Sequence, residues 1–368
     1  MVYRVARNTK KHFAVILGAR PNFVKAAPFF IRAKEYPDFK FTLIHTGQHF
    51  DKNMSQIFFE QMGIPKPDIH FDIKSGLFTE KIGIMTNNLS SFFSKKIFDG
   101  VIVFGDVIST LSGAVSVIKR GLPLIHIEAG LRSHDRRMPE EIIRTMVDHV
   151  SDLLFVTEPS ARANLLKEGI ERKKIKYVGN LMIESIELFK DKINASPILD
   201  KISLKKRKYI VVTIHRQENT DSPADLKKIF MVLNRVNKSL LVVMPLHPGT
   251  RNKVQEFKLS KLLKNLKIIE PLGYFDFMKL VSESGGVITD SGGIQEETSY
   301  LGIPCCTLRE STERPITIEL GSNKLFTTSA PDASQMLAHL ARKDFNSKHI
   351  PLWDRYVSRR IMKELDNF

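Results

Sequence analysis

The run Thr289-Asp290-Ser291-Gly292-Gly293-Ile294-Gln295-Glu296-Glu297 carries the sharpest chemical pattern in the chain. An apolar strand meets a hydroxyl and two glycines, and a helix follows. Glycines let backbone N–H groups approach a phosphate, Ser291 adds a donor, and the helix N-terminus favours the negative charge. Glu297 lies one turn into that helix, where a carboxylate can accept two ribose hydroxyls. A plain Gly-Gly turn is common, but the whole constellation is not. The run matches neither the Gly-Lys-Ser/Thr phosphate loop nor GxGxxG. After the next strand comes Glu310-Ser311-Thr312-Glu313-Arg314-Pro315, in which Arg314 can reach an anion and Glu313 can hold it in place. His215 follows an earlier strand. Alone it reads as a core histidine; beside Arg216 at a strand end it reads as a general acid or a phosphate ligand. His247 follows the next strand in the same way.

The first half carries carboxylates instead. Asp106 and Glu128 directly follow apolar strands, where a carboxylate is costly unless paired or used. Glu140 and Glu141 open a helix and can simply complement its dipole. Two or three carboxylates converging at strand ends suit proton transfer, because crowding and burial push their pKa values apart. Gly18, Arg20 and Lys25 follow the first strand, a tight turn with two cations near a helix start.

These residues need elements to hold them. Short apolar runs at 13–17, 41–45, 101–104, 124–127, 153–156 and 176–178 alternate with longer amphipathic stretches. The pattern repeats at 209–214, 240–245, 266–269, 286–289, 305–308 and 324–326. Alternation predicts a parallel sheet with helices on both faces, and its repetition predicts two doubly wound Rossmann-like α/β domains. The expected division is 12–187, 188–350 and a C-terminal helix in 351–368 that packs back on the first domain. In such sheets ligands sit beyond the strands' carboxyl ends, where every residue named above falls. A nucleotide diphosphate site in the second domain and acids beside an Arg/Lys pair in the first, facing each other across a cleft, suit a nucleotide sugar.

Composition narrows the partners. The 368 residues hold 56 Lys and Arg against 40 Asp and Glu, a formal net charge of +16. Few of those cations fall in the motifs. Most lie in stretches such as 10–12, 205–208, 258–267 and 359–363, which reads as a Lys-rich surface. No aromatic–basic interleaving points to nucleic acid. No apolar run approaches the roughly 20 residues that span a bilayer. The basic start reads as a tail before the first strand. Cys305 and Cys306 are adjacent, which argues against a disulfide or a zinc site and for a reducing, cytoplasmic setting.

The motifs, taken together, resemble the non-hydrolysing UDP-N-acetylglucosamine 2-epimerases. The matching segments are GARPNFVKAAP, HTGQHFDKNMSQIFFEQMGIPKPD, GDVISTLSGA, HIEAGLRSHDRRMPEEIIRTMVDHVSDLLFVTEPSARANLLKEGI, VGNLMIES, HRQEN, PLHPGTR, TDSGGIQEE, LGIPC and ESTERP, in order from Gly18 to about Gly321. The resemblance implies a GT-B-like fold and C2 epimerisation of UDP-GlcNAc to UDP-ManNAc without a cofactor or a metal. It implies elimination of UDP, re-addition of UDP to give the opposite C2 epimer, and a product used in cell-surface polysaccharides. It puts the catalytic groups on Asp106, Glu128, Glu140 and His215. Substrate contacts fall on Arg20, Lys25, Ser291, Gly292, Gly293, Glu297 and Arg314, with Phe277 and Leu272 near the uracil. It further implies a homodimer. Gln48 and His49 match an activator site for a second UDP-GlcNAc, where Asp51 departs from the usual pattern, and Gln217 stands where a second Arg is common. A related UDP-2-acetamido sugar, a hydrolysing epimerase and a GT-B glycosyltransferase are the alternatives.

Overall fold

The structure is a computed structural model that describes residues 10–47, 59–73, 76–329, 331–345 and 350–368. Gln48, His49, Asp51 and the basic start before residue 10 lie outside the described residues. The chain divides into two compact units, Met1–Ser185 with Asp354–Phe368, and Ile186–Trp353.

The first unit is built on β1 (Lys11–Leu17), β2 (Phe39–His45), β3 (Ile69–His70), β4 (Gly100–Phe104), β5 (Leu124–Ala129), β6 (Leu153–Val156) and β7 (Ile175–Tyr177). They form one sheet in the order β3-β2-β1-β4-β5-β6-β7, every pair parallel. β4, β5 and β6 are buried along their whole length, as continuous apolar strands covered on both faces must be. Ile16, Val101 and Val103 meet Leu89, Phe93 and Val147 from the helices Phe78–Phe93 and Pro139–Val150.

The helix Arg20–Ala33 contains Pro28, which removes one backbone donor and orphans the carbonyl of Val24. The Ser185 hydroxyl donates to that carbonyl at 2.6 Å, so the helix continues without a buried unpaired acceptor. The last helix, Val357–Asn367, packs against Arg20–Ala33. Its Val357, Ile361, Met362 and Leu365 form one fully buried stripe at helical spacing.

The second unit carries β8 (Tyr209–Thr213), β9 (Leu241–Pro245), β10 (Lys267–Ile269), β11 (Val287–Thr289), β12 (Cys305–Leu308) and β13 (Asn323–Phe326). Their order is β10-β9-β8-β11-β12-β13, again all parallel. Phe230, Leu233 and Val236 of the helix Pro223–Asn237 pack on Ile210, Val212, Val242 and Met244. Cys305 and Cys306 are buried free thiols in β12, and burial pushes the Cys305 thiol up to about 11. No helix among the described residues is long and apolar enough to cross a membrane.

The fold is two doubly wound parallel sheets, and the twelve strands expected from the sequence all appear. β3 is the addition, two residues long and too short to carry a pattern. In each sheet the strand order reverses at one point, between β1 and β4 and between β8 and β11. The residues singled out for chemistry follow those four strands or their neighbours.

Candidate active site

In the first unit, Ala19 caps the helix that begins at Arg20, and the Ala19 N–H donates to Asn22 Oδ1 at 3.3 Å. Asn22 Nδ2 donates 3.0 Å to the Phe104 carbonyl, which ties the turn after β1 to the end of β4. The Arg20 side chain lies outside what the structure describes. Lys25, one turn further on, is buried and forms an ion pair with Glu128.

Glu128 is placed by a local irregularity. Ile127 pairs with Phe155 and Ala129 with Val156, so Glu128 is the extra residue of a bulge. Its φ of 71° is left-handed, which costs a non-glycine residue about 1–3 kcal/mol. Bulges re-aim side chains, and this one turns a carboxylate onto Lys25.

Asp106, next to the β4 end, is held by Arg144, whose Nε and Nη2 each lie 2.9 Å from Asp106 Oδ2. Arg144 is almost wholly buried and also reaches Glu141 Oε2 at 2.6 Å. Glu141 accepts the Ser133 and His134 N–H groups at 2.8 and 3.0 Å. Of the adjacent acids, Glu141 is therefore a buried brace, while Glu140 is half-buried and has no partner among the described residues.

In the second unit, Asp290 is the hub. Its carboxylate accepts the backbone N–H groups of His215 and Arg216, both at 2.9 Å, and Asn219 Nδ2 at 3.1 Å. His215 Nδ1 stands 2.9 Å from Asp290 Oδ1. Burial would raise the Asp290 carboxyl, but the contact with His215 and the N–H donors outweigh it and hold it below its ordinary range. A carboxylate on Nδ1 fixes the ring so that Nε2 faces outward, and the His215 side chain is 40 % exposed.

The helix Gly292–Leu301 starts at the next residue but one, with half-buried Ser291 as its cap. A Cβ on Gly292 would fall 2.6 Å from Arg314 Nη1, so the bare Cα is what lets the guanidinium lie against the loop. Arg314 is paired with Glu296, Nε to Oε1 at 2.7 Å, and with Glu313. Glu313 also accepts Arg309 at 2.7 Å and has Arg216 at 3.7 Å. Three guanidiniums thus gather on one carboxylate. Burial pulls Arg309 below its ordinary range, Glu313 opposing and Arg216 adding to the effect. Such a cluster is preorganised for a further anion.

Glu296 is fully buried on Arg314, and the adjacent Glu297 is buried as well. Gly293 follows in the first turn of the helix. Leu272 and Phe277 are half-buried against the apolar cluster that contains Leu280 and Ile294. Tyr274, between them, feels the Glu297 charge; burial first and that charge second push its hydroxyl well above its ordinary range.

The structure thus brings Lys25 to Glu128, sets Asp106 on a buried arginine, and backs His215 with Asp290. Arg144 was missed in the sequence, and Asp290 and Glu296 were present only as members of a motif. Arg144 had a signal, an arginine three residues after Glu141 and four before Asp148, a spacing that puts all three on one buried helix face. Among the described residues, no three His, Cys, Asp or Glu side chains come together as a metal site.

A family model described as UDP-N-acetylglucosamine 2-epimerase matches residues 32–366. The chain belongs to this family. It is 42 % identical over 320 residues to the UDP-N-acetylglucosamine 2-epimerase of Methanococcus maripaludis, covering 84 % of this chain and 86 % of that one. It is 43 % identical over 314 residues to a UDP-2,3-diacetamido-2,3-dideoxy-D-glucuronate 2-epimerase of Pseudomonas aeruginosa, covering 84 % and 86 %. Among solved structures, the Methanocaldococcus jannaschii UDP-GlcNAc 2-epimerase in complex with UDP-GlcNAc and UDP superposes with a TM-score of 0.90. The identity is 35 %, over 97 % of this chain and all of that one. The fold class is GT-B-like, and the chain is an epimerase of nucleotide sugars.

Proposed function

We propose that the chain interconverts UDP-GlcNAc and UDP-ManNAc without hydrolysis. One observation carries the reading: the bulge that turns Glu128 onto Lys25 beside the Arg144-held Asp106 puts two carboxylates at the carboxyl end of one sheet. The M. jannaschii relative, crystallised with UDP-GlcNAc and UDP, supports the choice of ligand.

In this mechanism a carboxylate of the first unit, Asp106 or Glu128, takes the C2 proton. The C2–H electron pair becomes the C1–C2 double bond, and the C1–oxygen bond breaks with its pair leaving on UDP. Re-addition of UDP at C1 with protonation of C2 on the opposite face gives the epimer. The C2 proton is weakly acidic, so the barrier falls only if the departing diphosphate is stabilised. His215 Nε2, the Gly292–Leu301 helix start and the Arg216, Arg309 and Arg314 cluster supply that stabilisation. Ser291, Gly292 and Gly293 hold the phosphates, Glu297 the ribose, Leu272 and Phe277 the uracil. Arg20, Lys25 and Glu140 act on the first-unit side. The likeness to the P. aeruginosa enzyme supports a second reading, a related UDP-2-acetamido sugar as substrate.

Incubation with UDP-GlcNAc in deuterated water tests the reaction. C2 deuteration with formation of UDP-ManNAc is expected. Stoichiometric free UDP would identify a hydrolysing enzyme, and no exchange with UDP-GlcNAc would leave the uronate sugar or refute the epimerase altogether.

The homodimer belongs to the same proposal. Val115 and Ile118 on the helix Ile108–Ile118 and Ile142, Met146 and Val150 on Pro139–Val150 are each 41–54 % exposed, on two helices that touch. An apolar face of this kind marks an interface.

A further inference from the structure

Behind the strand ends that carry Asp106 and Glu128 lies a buried polar chain that the mechanism above does not use. His126 sits in β5, two residues before Glu128, with no exposed surface. Its Nε2 lies 2.7 Å from the Gly105 carbonyl oxygen and its Nδ1 lies 2.7 Å from Asp148 Oδ1. A carbonyl oxygen can only accept, so Nε2 carries a proton.

Asp148, on the helix Pro139–Val150, uses its other oxygen twice. Oδ2 accepts the Gly130 N–H at 3.1 Å and stands 2.7 Å from Arg132 Nη1. Arg132 in turn forks onto Glu168, with contacts of 2.8 and 2.7 Å. Burial works to raise the Asp148 carboxyl, yet His126 and Arg132 outweigh it and the acid stays below its ordinary range. Asp148 thus takes His126 Nδ1 on one oxygen and the Gly130 N–H on the other.

The two ends of this chain are specific. The Gly105 carbonyl belongs to the peptide that leads into Asp106, and the Gly130 N–H follows the bulge that carries Glu128. Gly105, Glu128 and Gly130 all have left-handed φ, at 62°, 71° and 78°. These turns are the least self-supporting parts of the sheet edge. One carboxylate grips both, Gly130 directly and Gly105 through His126.

We propose that His126 and Asp148 are positioning residues, a hydrogen-bonded histidine–carboxylate pair that sets the spacing of Asp106 and Glu128. Neither touches substrate. The inference rests on the epimerase reading, since that reading makes the spacing of the two carboxylates matter. A misplacement of about 1 Å costs a proton-transfer geometry about 100-fold in rate.

Two variants test it. In Asp148→Asn, which turns an NH2 toward donors, kcat should fall about 100-fold, with KM within about threefold of wild type and the wild-type urea unfolding transition retained. A folded variant that keeps the wild-type kcat overturns the positioning role, and so does a kcat loss no greater than the loss of folded protein. If Asp148→Asn fails to fold, His126→Gln, which keeps an amide donor for the Gly105 carbonyl and gives up the Asp148 contact, carries the same expectation. A wild-type chain that binds UDP without exchanging the C2 proton sinks the epimerase reading instead.

Discussion

Glu184 gives the last helix a pH-dependent hold. Its carboxyl accepts the Ser358 N–H at 2.5 Å and the Ser358 hydroxyl at 2.6 Å, at the start of Val357–Asn367. Burial pushes its pKa from 4.5 up to about 7, although both Ser358 bonds and the charges of Arg32 and Arg360 oppose it. The native state therefore binds this proton more tightly than the unfolded chain. Stability from this group is fully present below about pH 4.5 and is lost as pH rises through about 7. Between pH 5 and pH 8 the loss comes to about 2.5 kcal/mol, at about 1.4 kcal/mol per pKa unit. Glu184→Gln removes the charge but keeps an acceptor for the N–H and gains a donor for the hydroxyl. Its stability relative to wild type should rise by about that amount between pH 5 and pH 8. Urea unfolding can be followed by Trp353, the chain's one tryptophan, buried five residues before Ser358. A difference between variant and wild type that stays flat across this range would refute the reasoning and return Glu184 to an ordinary acid.

Three further outcomes follow from the second unit and the exposed face. Asp290→Asn turns an amide NH2 toward the donors that the carboxylate accepts, and kcat should drop about 100-fold in the C2-exchange assay; an unchanged kcat would remove His215 orientation from the mechanism. Gly292→Ala places a methyl 2.6 Å from Arg314 Nη1, so UDP affinity by calorimetry should weaken about tenfold, or about 1.4 kcal/mol. Unaltered binding would show that Arg314 does not serve the diphosphate. Met146→Glu should convert a dimer to a monomer in light scattering, and a dimer that persists places the interface elsewhere.

The strands were legible because apolar runs buried on both faces of a parallel sheet have no polar alternation to blur them. Asp106, Glu128 and His215 stand out as candidates in the sequence because strand ends are where a doubly wound sheet displays side chains. What the local sequence hides is how each is held. Glu128 lies in a bulge that the pattern of β5 does not announce, since LIHIEA alternates as a regular strand does. Arg144 and Asp148 reach their partners from a helix 38 and 22 residues away in sequence. The choice between Glu140 and Glu141, or Glu296 and Glu297, turns on helix rotation, which adjacency cannot supply. Pro28 would argue for a helix break on sequence alone; only the distant Ser185 hydroxyl makes it harmless.

The discontinuity of the first unit has a consequence for synthesis. The second unit is one uninterrupted stretch, Ile186–Trp353, and can fold as soon as it clears the ribosome. The first unit is begun before it and continued after it, because Val357, Ile361, Met362 and Leu365 supply their buried stripe only when residues 357–365 emerge. A nascent chain that stalls at Trp353 has its second unit in hand and its first incomplete, with the apolar surface of Arg20–Ala33 that the helix Val357–Asn367 covers left open.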